Sequence, residues 1–93
     1  MALTKTTEND KIEVVNKWNI QIRNATIIKE DGKEISRSFH SNVLTPGTLD
    51  ASDNLVDTDL SSEDADVKAI AEAAWTTQVK ADYKAFLIAN KPS

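Results

Sequence analysis

The chain has 93 residues, 40% apolar and 28% charged, with a formal net charge of −4. That length fits one domain with a modest core, built from Ile, Val, Leu and Ala because aromatics make up only 5%. The absence of cysteine excludes disulfides, thiolate metal sites and cysteine nucleophiles, and no stretch gathers the Lys and Arg of a nucleic-acid surface.

Residues 1–9 are polar and rich in Thr and charge, which predicts a frayed end or an arm. The opening MALTKTTENDK has no apolar h-region, so secretion by a signal peptide is not expected. No apolar run approaches the roughly 18 residues that span a membrane.

From Lys11 the pattern alternates. Ile12, Val14, Trp18, Ile20, Ile22 and Ile28 share even parity, while Lys11, Glu13, Lys17, Arg23 and Lys29 are odd. Such alternation predicts antiparallel strands with one buried and one wet face. A three-residue loop at Asn16-Lys17-Trp18 would pair Val14 with Ile20 and Ile12 with Ile22.

Asp31-Gly32 is the strongest hairpin signal in the chain, because a two-residue type I′ turn needs positive φ at both positions. In that register Ile28 pairs with Ile35, Thr26 with Arg37 and Asn24 with Phe39. The buried face then holds Ile20, Ile22, Ile28, Ile35, Phe39 and Val43. A three-residue turn would pair Ile27 with Ile35 instead, and the one-residue slip would change which side chains face each other. Either way residues 10–46 form a three-stranded meander, closed by Pro46-Gly47.

Residues 47–62 read as an irregular acidic linker. From Ser38 to Val67 there is no Lys or Arg, against seven acids: Asp50, Asp53, Asp57, Asp59, Glu63, Asp64 and Asp66. Asp57-Thr58-Asp59 begins like a calcium loop, but Ser62 stands where glycine is needed and Lys68 where the bidentate glutamate would be. No metal or other cofactor is expected.

Ser61-Ser62-Glu63-Asp64 predicts a helix start, and one long helix over 63–89 follows. Val67, Ala71, Trp75, Val79, Tyr83 and Leu87 recur every four residues. At 3.6 residues per turn that stripe drifts about 40° per step and about 200° in all. Three arrangements absorb the drift. The helix breaks near Thr76-Thr77, it wraps a strongly twisted sheet, or its C-terminal half buries against another copy or protein.

The expected fold is therefore α+β, a single domain over 1–93 with a three-stranded antiparallel meander packed against one long C-terminal helix. His40, the sole histidine, has no carboxylate or nucleophile at a useful spacing, and Ser36, Ser38 and Ser41 merely alternate along a strand. No catalytic residue is expected. Trp18, Tyr83, Phe86 and Leu87 are the expected contact residues, for self-association or a larger assembly.

The string Ile20 to Gly47, IQIRNATIIKEDGKEISRSFHSNVLTPG, resembles a family of small proteins of tailed phages of marine bacteria, including cyanophages. Ile35-Ser36-Arg37-Ser38-Phe39-His40 is its most distinctive part, and the resemblance extends from about Lys11 to Phe86. It implies a phage protein, virion- or tail-associated, residing in the virion or the host cytoplasm. It carries over no catalytic residue. The linker here is longer than in typical members. A host-directed protein, binding a host partner through the acidic segment, is the rival expectation.

Overall fold

The computed structural model describes residues 2–92 and has seven elements. Three long strands, β1 (Leu3–Val15), β2 (Asn19–Glu30) and β3 (Lys33–Leu44), form an antiparallel sheet in the order β1-β2-β3. A small second sheet pairs β4 (Gly47–Leu49) with β5 (Leu55–Asp57), and two helices follow, α1 (Ala65–Ala74) and α2 (Thr77–Ala89). The class is α+β, but the long single helix is replaced by two short ones and the linker contains a hairpin. Residues 3–9 are paired strand rather than a frayed end.

The first turn forms as its residues suggest. Asn16 and Lys17 take positive φ, and Val14 pairs with Ile20 and Ile12 with Ile22. The second turn has Asp31 at φ 51° and Gly32 at φ 84°, with Glu30 opposite Lys33, as in a type I′ turn. Asp31 also exchanges hydrogen bonds with Ala2: its backbone N–H donates to the Ala2 carbonyl, and its side-chain carboxylate accepts from the Ala2 N–H.

Beyond the tip, the expected register fails because β3 carries an extra residue. Lys29 faces Glu34, but Ile28 faces Ser36, leaving Ile35 as the bulge. Thereafter Thr26 faces Ser38, Ala25 faces Phe39 and Gln21 faces Val43. Phe39 and Val43 thus move to the sheet face away from the helices. Ile35, Phe39 and Val43 are 55%, 53% and 50% exposed, not core. The physical reason lies in Arg37, whose guanidinium grips Glu34 through two hydrogen bonds of 2.8 and 3.1 Å. Residues three apart point to opposite faces of a regular strand; one inserted residue brings them to the same face.

A matching bulge interrupts β1, where the register shifts between Asn9 and Lys11. The intervening Asp10 accepts from Arg23 Nε at 3.1 Å and Nη2 at 2.7 Å. That bidentate pair holds the Asp10 carboxyl below the usual carboxylate range. A depressed folded-state pKa contributes stability above the unfolded value, near about pH 4, and loses it as the pH falls through the folded value. Asp10→Asn is therefore expected to lower the urea midpoint at about pH 7 and to converge with the parent as the pH falls through the folded value, below which both side chains are neutral. An unchanged gap across that range would show that the ion pair is not the cause.

The core lies on one face of the proximal half of the sheet. Ile20 and Ile22 pack against Val67, Ala71 and Trp75, with Ile12, Leu44, Leu60 and Ile70 at the margin. α1 ends at Trp75, whose indole N–H donates to the Trp18 carbonyl at 2.8 Å. Thr76 then turns extended (φ −69°, ψ 167°), and its hydroxyl caps α2 by accepting from Val79 N–H at 3.2 Å. Threonine is a good cap and a poor helix interior, so the break falls there. The break absorbs the drift by letting each half-helix aim its own stripe. At the other end, α1 starts at Ala65 and its cap residue Asp64 makes no side-chain capping bond. The Asp64 carboxylate instead accepts from Asn9 Nδ2 at 2.9 Å, tying the helix start to β1.

The helices cover β2 only to about the level of Asn24, where Asn9 and Asn24 are joined by a hydrogen bond. The remaining six residues of β2 project with their neighbours as a three-stranded arm of roughly 20 Å, at about 3.4 Å per residue. The molecule is accordingly elongated, 59 × 27 × 21 Å. Ala25 and Ile27 are nonetheless buried, on the helix-free face. Phe39 and Arg37 stand opposite them on β3, and the Arg23 guanidinium lies 4.3 Å from the Phe39 ring centre. Long side chains on one face thus cover two small apolar sites without a second layer.

Candidate functional site

Three of the four expected contact residues come together. Trp18, half-buried at the β1–β2 turn, meets Tyr83 edge-on with ring centres 5.2 Å apart and lies 5.2 Å from Phe86. Tyr83 and Phe86 are 6.1 Å apart. Tyr83 is buried, whereas Phe86 is 45% exposed. The cluster docks α2 onto the β1–β2 turn, and the Lys17–Asp82 ion pair closes its edge. Leu87 points elsewhere: with Thr45, Leu49, Tyr83 and Asn90 it lines an open groove of about 320 Å³ beside β4. The aromatic group is chiefly an internal joint, with Phe86 as its outward corner.

The acidic segment is largely engaged within the chain. The Asp50 carboxylate accepts from the N–H groups of Asn54 and Ser52, at 2.9 and 2.8 Å, which holds its pKa low. Asp59 does the same for Ser61 N–H. Asp53 pairs with Lys91, Asp57 with Lys80, and Asp64 and Asp66 meet Asn9. These contacts fold residues 47–62 into a hairpin with closed turns rather than an irregular linker. Among the described residues no group of three or more His, Asp or Glu side chains could hold a metal ion.

His40 faces Asn24, where the regular two-residue turn register without the β3 bulge would set it opposite Arg23, and is exposed. Ser36, Ser38 and His40 alternate along the helix-side face and present no nucleophile–base pair. The sheet face away from the helices has a shallow, open depression of about 220 Å³ between Lys11, Glu13, Gln21, Arg23, Ser41 and Val43. Its floor is strand backbone, and nothing in it converges on a reacting atom.

The surface that the alternation pattern missed is β3. Every residue from Lys33 to Val43 is exposed, and the strand forms an edge of the sheet along its whole length. Ile35, Phe39 and Val43 recur at intervals of four, a spacing visible in the sequence, but alternation assigned all three to the core. The other edge, β1, differs in kind. It carries Lys5, Glu8, Asp10, Lys11 and Glu13 and is bent by its bulge, features that oppose strand addition. Between Ser36 and Leu44, β3 carries one formal charge, Arg37.

Among the described residues no helix is long and apolar enough to cross a membrane. Compared with protein-family models, curated proteins and solved structures, the chain matches none.

Proposed function

We propose that the chain works by protein–protein contact, as a virion- or tail-associated structural or accessory component of a tailed phage. The observation that carries this reading is the outer strand β3, exposed from Lys33 to Val43 and bearing three half-exposed apolar side chains, two of which, Ile35 and Phe39, stand on the arm beyond the helical cover. An edge strand of this length with one charge between Ser36 and Leu44 is a template for pairing with another chain. The phage setting rests on the resemblance carried by Ile20 to Gly47. The proposed locations are the virion and the host cytoplasm.

A host-directed role through the acidic segment has less support, because six of its seven acids are engaged by groups of the same chain.

Quantitative mass spectrometry of purified phage particles tests the reading. A structural component is expected in many copies per particle, and is lost from particles when its gene is deleted. Absence from particles, with the chain abundant in the infected cell, would overturn the structural role.

A further inference from the structure

We propose that the partner of β3 is the same strand of a second copy, paired antiparallel about a two-fold axis at Phe39. The inference rests on the protein-contact reading above and specifies its partner and register.

Symmetry limits the choices sharply. A two-fold axis relating two antiparallel edge strands stands perpendicular to the sheet, so both copies present the same face and only even-sum registers are allowed. Centring on Phe39 sets Phe39 against its own copy and brings Ile35 level with Val43. All three exposed apolar side chains of the strand then meet apolar neighbours across the interface.

Charge selects the same register. Within the regular pairing Arg37 faces Ser41 and His40 faces Ser38, so no charge opposes its like. Arg37 lies diagonal to the partner's Phe39, within reach of a cation–π contact such as Arg23 already makes in its own chain. Each arginine also brings its own carboxylate, Asp10 for Arg23 and Glu34 for Arg37. Neighbouring registers do worse. Centring on His40 sets Arg37 against Val43 and Phe39 against Ser41, centring on Ser38 leaves no two of Ile35, Phe39 and Val43 opposed, and centring on Arg37 opposes two guanidinium groups. The bulge at Ile35 bounds the regular pairing, which runs from Ser36 to Asn42 and adds about one backbone hydrogen bond per paired residue. The product is a six-stranded sheet with the buried pair Ala25 and Ile27 of each copy on one continuous face.

The absence of native cysteine makes the test clean. Directly opposed residues lie about 4.5–5.5 Å apart at Cα, within disulfide reach, so Phe39→Cys is expected to give at least about tenfold more oxidised dimer than Lys5→Cys on the other edge. Ile35→Cys and Val43→Cys should couple when mixed and stay monomeric when oxidised separately. Near-UV circular dichroism confirms that each variant is folded, and Phe39 is exposed enough for cysteine to be tolerated. Equal coupling at positions 39 and 5 overturns the register. Sedimentation of the unmodified chain at about 100 μM then separates the failures, since pairing of micromolar affinity populates the dimer there. A dimer without the 39–39 link means self-association through another surface. A monomer overturns self-pairing, while particle content still decides the structural role by itself.

Discussion

Trp75→Ala is expected to cost about 3–5 kcal/mol, the usual range for deleting a buried tryptophan. For a domain this small the total is on the order of 5–10 kcal/mol, so the variant should be largely unfolded in mild urea. Three roles coincide at this residue. Its ring packs with Ile20, Ile22, Val67 and Ala71. Its backbone ends α1, and its N–H binds the Trp18 carbonyl across the sheet–helix interface. Trp75→Phe restores much of the volume but leaves that carbonyl without its donor, for an expected loss of about 1–3 kcal/mol. Equilibrium urea unfolding, followed by the fluorescence of Trp18, measures both. A cost below about 1 kcal/mol for the alanine variant would mean that the helices are not held by this core.

Gly47→Ala should be the most damaging single-methyl addition, costing about 1–3 kcal/mol as overpacking against rigid backbone. A Cβ at Gly47 would overlap the Val56 carbonyl oxygen and stand 3.0 Å from its carbon. Neither can swing aside as a flexible side-chain end could. β4 must therefore separate from β5, and the loss should appear as a lower thermal midpoint with amide exchange raised first across Leu55–Asp57. The contrasting site is Gly32, where an added Cβ meets nothing within 4 Å and only the positive φ resists substitution. Gly32→Asn should cost less than Gly47→Ala, because asparagine tolerates left-handed backbone. The reverse order would show that β4 and β5 are not packed as described.

Gly47 lies in the part of the chain that the sequence described least well. Residues 47–62 read as linker because their apolar residues follow neither period two nor period 3.6. What organises them is a set of carboxylates turned onto nearby N–H groups and the close pairing at Gly47. Such contacts have no periodic trace. The contact residues Trp18, Tyr83 and Phe86 were legible as a group of large aromatics, and they do meet, but their meeting is mostly within the chain. The exposed strand was legible as a strand and illegible as a surface, because one bulge residue decides which way Phe39 and Val43 point.

Local chemistry by itself determined the turns, and it offered the break near Thr76 as one of three ways to absorb the drift of the helical stripe. Asp31-Gly32 makes a type I′ turn because both residues accept positive φ, and Thr76 stops a helix because its hydroxyl caps the next one; neither needs a distant partner. Tertiary structure alone decided the register beyond each turn. The bulges at Asp10 and Ile35 occur where Arg23 and Arg37 find carboxylates that a regular strand would hold on the opposite face, and these pairings lie over Ala25 and Ile27 in the middle strand. A competition between hydrophobic alternation and ion pairs on three strands is settled only once all three are side by side.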